Sequence, residues 1–148
     1  MSSENVELAG RIAEAMAPGD FVALLEDEER LLAAASAVEP FADPEFETEM
    51  IGPEYLPGPA VYKGLEGYVE AWRDWLAPYE SYRAELEDWI DAGDKVVLLV
   101  RQVALTKDGG VPIEAASAVV FSFREGKLVR LEFHLDRERA MKAAGLSE

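Results

Sequence analysis

Cysteine is absent and histidine occurs once, as His134, in a chain of 148 residues. The first absence excludes disulfides, thiolate nucleophiles and cysteine-ligated metals. A lone imidazole also argues against a zinc site, so no metal and no cofactor are expected. Basic residues are scarce, with 14 Lys and Arg against 30 Asp and Glu and a net charge of −16. A nucleic-acid-binding surface needs clustered cations to neutralise phosphates, and no such cluster occurs. The same charge is repelled by anionic membrane surfaces. Long apolar runs are missing too, since nothing approaches the roughly 20 residues that span a bilayer. The start, Met1 to Glu7, lacks the basic residues and apolar core of a secretory signal. A soluble, cytoplasmic protein with neither nucleic-acid nor membrane partners is expected.

What is present is globular. About half of the residues are hydrophobic (49%), and the length suits one domain, residues 1–148, with its own core. Val6, Ala9, Ile12, Ala13 and Met16 recur at helical spacing over residues 4–17, and Pro18-Gly19 ends that element. Asp20 then caps a second helix that contains Leu24, Leu25, Leu31 and Leu32. Within it, Glu26 to Glu29 face water or mark a break. From Phe46 to Ile51 the pattern becomes strict alternation, the period of a strand. A loop rich in proline and glycine follows, carrying Tyr55, Leu56 and Tyr62. Gly64 to about Ala77 reads as a third helix, with Leu65, Val69, Trp72 and Leu76 in line, an aromatic flank of Tyr68 and Trp75, and Pro78 as its stop.

The remainder reads as a four-strand meander over residues 81–90, 95–105, 113–123 and 128–135. Its turns are Asp91 to Asp94, Lys107 to Gly110 and Arg124 to Lys127, and a short helix follows over 137–144. The expected class is α+β, with a curved antiparallel sheet wrapped by the N-terminal helices. Such a sheet twists and leaves a concave, cone-shaped space.

Several stretches carry a resemblance. They are Ser3 to Glu7, Pro18 to Phe21, Val61 to Gly67, Ile90 to Val97, and Phe123 to Glu132 followed by Leu135-Asp136. Their order and spacing resemble the SnoaL-like branch of the nuclear-transport-factor-two-like superfamily, which includes ketosteroid isomerases and polyketide cyclases. The resemblance implies a conical pocket for a small hydrophobic molecule and homodimerisation through the outer sheet face. The segment from about Glu26 to Ala42 looks longer than is usual in that family.

Catalytic relatives place a carboxylate inside the cone, where an apolar wall tunes its pKa for proton transfer; the ketosteroid isomerases are a standard illustration of such tuning. The resemblance aligns Asp136 with a strand-ending aspartate, which puts Phe133 where an acid is expected, and Val103 stands in place of a second acid. Phenylalanine cannot transfer a proton, so catalysis does not carry over simply.

Parity decides which residues face the cone. A glycine bulge at Glu125-Gly126 puts Val119 and Phe121 on one face with Val129, Leu131 and Phe133, whereas a plain two-residue turn brings Ala118 and Val120 there instead. The bulge is preferred because it segregates the larger side chains. Arg130, Glu132 and His134 then point outward. His134 remains a weak catalytic candidate because its intrinsic pKa lies near neutrality.

Arg101 interrupts an apolar strand on the face of Val97, Leu99, Val103 and Leu105. A buried guanidinium needs a carboxylate or a ligand group, which makes Arg101 both a ligand-binding and a weak catalytic candidate. The expected binding set is Tyr55, Tyr62, Trp72, Arg101, Ser117, Val119, Phe121, Leu131 and Phe133. Three functions stay open: a binding protein for a small hydrophobic molecule, a cofactor-independent isomerase, cyclase or hydrolase acting on a ring compound, and an accessory module with a filled cone.

Overall fold

The computed structural model describes residues 2–16, 21–51 and 61–146. Helices α1 (Ser2–Met16), α2 (Phe21–Glu26) and α3 (Glu28–Val38) come first, followed by a short 3-10 turn (Glu39–Phe41) and strand β1 (Ala42–Ile51). Strand β2 (Val61–Lys63) leads directly into α4 (Gly64–Leu76). The meander is β3 (Tyr79–Asp91), β4 (Lys95–Thr106), β5 (Pro112–Arg124) and β6 (Lys127–His134), and α5 (Arg137–Ala143) closes the chain. The run of acids after Leu25 is a break between two helices, because Asp27 turns extended and its carboxylate accepts the Arg30 backbone N–H as the N-cap of α3.

The six strands form one curved, unclosed sheet in the order β2-β1-β6-β5-β4-β3. It is antiparallel, as expected, except where β1 runs parallel to β6. A parallel neighbour needs a long crossover, and here the connection from β1 to β6 contains β2, α4 and strands β3 to β5.

The sheet has two unlike faces. On the inner face, Val96, Leu98 and Val100 of β4 pack with Phe121, Phe123, Leu128 and Leu131, and with Ala9 of α1, Val38 of α3 and Phe46 of β1. Helix α4 lays its buried stripe of Gly67, Ala71, Trp72, Trp75 and Leu76 over the same face. On the outer face, Val97, Ala118 and Val120 are covered by Ala140 and Ala144 at the end of α5. Helices thus occupy both sides, and β4 is buried on both of its faces near Val96 and Val97. That double burial is why its sequence reads as a continuous apolar run.

Two turns fix the registers. Asn5 of α1 donates its side-chain amide to Gly93 O in the β3–β4 turn at 2.9 Å, tying the first helix to the sheet. In the β5–β6 hairpin, Glu125 and Gly126 take φ of 53° and 76°, and Arg124 faces Lys127 across a two-residue turn. The bulge lies further along β6: Phe123 faces Leu128 while Ser122 faces Arg130, which leaves Val129 as the extra residue. The preferred parity of Val119, Phe121, Leu131 and Phe133 therefore holds, with the bulge at Val129 rather than at the turn. Val129 itself does not join the covered face; it borders a groove of about 500 Å³ with Lys95, Ser122, Glu47 and Arg130.

No helix among the described residues is long and apolar enough to cross a membrane. No group of three or more His, Cys, Asp or Glu side chains among them is placed to hold a metal.

Candidate functional site

The inner face carries an aromatic cluster at the α4 end of the sheet. The Phe133 ring sits 5.2 Å from that of Trp72 and 4.6 Å from that of Trp75, both edge-on. Trp72 also meets Tyr82 at 5.8 Å and Tyr68 at 6.3 Å. Such edge contacts set the negative face of one ring against the positive rim of the next. The cause lies in two periodicities. Trp72 and Trp75 are three apart on one helix face, and Phe133 and Val119 are paired across β6 and β5.

Polar groups interrupt this wall at a few points. The Tyr82 hydroxyl donates to Gln102 Oε1, both groups being buried. Ser117 and Thr48 are fully buried inner-face residues, and Ser117 Oγ and Thr48 Oγ1 have no hydrogen-bond partner among the described residues. Tyr62 donates its hydroxyl to Asp74 Oδ2 at 2.8 Å, fastening β2 to α4. Burial first, and then this carboxylate, push the Tyr62 phenol up to about 12. Burial also drives the Tyr68 phenol well above its ordinary range, against a hydrogen bond from Trp72 that acts the other way.

The candidates read from the sequence separate into groups. Tyr62, Trp72 and Phe133 belong to the aromatic cluster, Phe121 and Leu131 to the neighbouring apolar cluster, and Val119 touches both. Ser117 sits on the same face, in register with Val100. Tyr55 lies outside the described residues.

Arg101 is the clear displacement. It shares its face with Val97 and Leu99, which is the outer one, so it does not point into the cone. Its side chain is 40% exposed, with Nε donating to Glu87 at 3.1 Å and a guanidinium nitrogen 3.8 Å from Glu114. Glu87, the extra residue of a bulge in β3, also accepts from Arg137, and these two guanidinium contacts hold its carboxyl below the usual range. The polar residue that β4 turns inward is the next one, Gln102. Gln102 and Tyr82, which also lie on this face, are not singled out by the sequence, while Tyr68 and Trp75 read there only as the aromatic flank of the third helix. The signal for Gln102 was its polarity within an apolar strand, hidden by the more conspicuous arginine beside it.

His134 lies on the outer face and is buried. Its Nε2 is 2.9 Å from Glu132 Oε1, and its Nδ1 has no partner among the described residues. Glu132 also accepts from Arg130, which reaches Glu47 at 2.8 Å and Glu49 besides. The His134 hydrogen bond, helped by Arg130 and opposed by burial, holds Glu132 below the ordinary carboxylate range. This network is separated by the sheet from the aromatic face, so His134 cannot act on a molecule held there.

A helix-covered, aromatic concave face on an unclosed sheet defines a cone-type α+β domain. The chain belongs to the SnoaL-like domain family, whose model matches residues 11–131. It is similar over most of its length to solved structures with a nuclear-transport-factor-two-like or ketosteroid isomerase-like fold. A nuclear-transport-factor-two-like protein of unknown function from Burkholderia pseudomallei shares 17% identity, with 94% of this chain and 95% of that one covered at a TM-score of 0.65. TerC crystallised with polyporic acid shares 18% identity over 96% and 98%, also at 0.65. A protein with a ketosteroid isomerase-like fold from Catenulispora acidiphila, in complex with trimethylamine, shares 13% over 95% and 93% at 0.59. At these identities the likeness concerns the fold. No curated protein matches the chain by sequence.

Proposed function

We propose that this protein binds a small, mainly apolar molecule against the aromatic inner face, without a cofactor. The observation that carries the reading is the chemistry of that face. Among the described residues, its positions on β4, β5 and β6 are apolar or neutral polar, with no Asp, Glu or His. The carboxylate that the family resemblance expects on these strands is missing, whereas apolar binding needs only a concave, largely hydrophobic wall with a few placed polar groups. Structures of the same fold crystallised with polyporic acid and with trimethylamine are consistent with small-molecule binding in this class.

The accessory-module reading is favoured by one specific observation. Trp72, Phe121 and Phe133 are only 5%, 3% and 1% exposed, so at these points the protein's own rings fill the space. A thermal-shift screen against steroids, terpenes and aromatic polyketides separates the two. A true ligand at about a hundredfold over its Kd stabilises by about 2.7 kcal/mol, a rise of several degrees in Tm for a domain of this size. If no apolar compound raises Tm and none changes tryptophan fluorescence, the binding reading fails and the accessory one stands. Homodimerisation through the outer face belongs to the same proposal, and light scattering of the purified chain tests it.

A further inference from the structure

We infer that Gln102 is the specificity-determining residue of the inner face: it selects an uncharged ligand bearing a hydrogen-bond acceptor and excludes carboxylates. The inference rests on the binding reading above and concerns which molecule the same face takes.

The first support is the division of charge between the two faces of one sheet. The ionised side chains of these strands collect on the outer face, in the Arg101, Glu87 and Arg137 group and in the Arg130, Glu47, Glu49 and Glu132 group. The inner positions of β4, β5 and β6 present none among the described residues. A carboxylate brought there loses its hydration and meets no counter-ion, a penalty that one neutral hydrogen bond does not offset.

The second support is the Gln102 amide. Its oxygen accepts the Tyr82 hydroxyl proton, which orients the group, and Gln102 makes no other hydrogen bond among the described residues. The Nε2 donors are therefore left for an acceptor. Tyr82 in turn touches Trp72, so the donor stands beside the aromatic wall. Ser117 lies diagonally across the strand pair, since Gln102 faces Ala115 and Ser117 faces Val100. Its hydroxyl is fully buried, so it keeps that side neutral without itself reaching a ligand. A ligand oxygen that engages the Gln102 Nε2 gains a hydrogen bond in largely apolar surroundings.

Three probes on one tricyclic frame test this: fluorene, 9-fluorenone and 9-fluorenecarboxylate, with methyl 9-fluorenecarboxylate as the uncharged control for the out-of-plane group, titrated at neutral pH by tryptophan quenching and checked by equilibrium dialysis. The expected order is the ketone about fivefold tighter than the hydrocarbon, and the carboxylate at least a hundredfold weaker than the ketone. Gln102→Met removes the ketone's advantage while fluorene affinity stays within about twofold. Tyr82→Phe, which frees the amide to turn, reduces the same ratio and serves where Gln102→Met does not fold. Carboxylate binding within tenfold of the ketone, or a ketone-to-fluorene ratio unchanged in a folded variant, overturns the inference alone. Failure of all three probes to bind the unaltered protein overturns the inner-face site itself, and the inference with it.

Discussion

Replacing Phe133 by alanine removes a ring that is 1% exposed and wedged against two indoles, with centroid distances of 5.2 and 4.6 Å. Truncations of buried phenylalanine cost about 3–5 kcal/mol, and the value within that range depends on how far the site can collapse. Here collapse is hindered. Trp72 and Trp75 are fixed on α4, which in turn is fastened to β2 by the Tyr62–Asp74 hydrogen bond, and Met50 faces Phe133 from β1. The expected loss is therefore about 4–5 kcal/mol. For a domain of roughly 150 residues, each kcal/mol corresponds to about 2–4 °C, so Tm should fall by about 8–20 °C. Urea unfolding followed by tryptophan fluorescence measures the loss directly, provided the slope with denaturant is unchanged. Phe133→Leu, which keeps most of the volume, should cost less than about 1.5 kcal/mol. A loss below about 1.5 kcal/mol for the alanine variant would refute the reasoning, because it would mean that open space already lies beside the ring. The alanine variant should also bind benzene, as other dry engineered cavities do, with a measurable rise in its Tm.

Other perturbations probe separate parts of the molecule. Gly67→Ala in α4 should destabilise, although alanine is the better helix former by about 1 kcal/mol. The added Cβ would stand 2.9 Å from the Tyr62 carbonyl carbon, and backbone cannot yield as a flexible side chain can; a rise in the urea midpoint would contradict this. In a spectrophotometric alkaline titration, Tyr62 and Tyr68 should ionise well above an ordinary phenol, leaving at least two phenols protonated at a pH near 11. Because the folded pKa of Tyr62 is raised, its contribution to stability is intact below the unfolded value of about 10 and is lost as pH rises towards about 12. Glu132 has the opposite sign. Its depressed pKa supplies stability above the unfolded value of about 4.3 that disappears as pH falls through the folded one, so Glu132→Gln should flatten the acid limb of the stability profile. An unchanged acid limb would show that the Arg130 and His134 contacts do not favour the ionised carboxylate.

Most of the elements were legible because their determinants are local. Proline and glycine end the helices, alternation marks β1 and β3, and Glu125-Gly126 and Asp91 to Asp94 make the turns whatever surrounds them. The Asp27 break was half legible, since an N-cap needs a short acid before a helical stretch and a run of four acids offers several. The three-residue β2 was not legible: a strand that short is defined by its pairing with Glu47, Thr48 and Glu49 rather than by a pattern of its own.

The inner face is where the sequence by itself stopped. It determined that an apolar, aromatic surface with scattered polar residues would form, because burial of such side chains follows from composition and period alone. It could not determine which residue of the Arg101-Gln102 pair faces inward. A strand covered by α1 on one side and α5 on the other has no polar face to mark its parity, and the β3 bulge at Glu87 shifts the pairing by one. Only the tertiary structure, by docking α5 onto Val97, Ala118 and Val120, made that face the outer one. It thereby placed the guanidinium among surface carboxylates and the neutral amide against the aromatic wall.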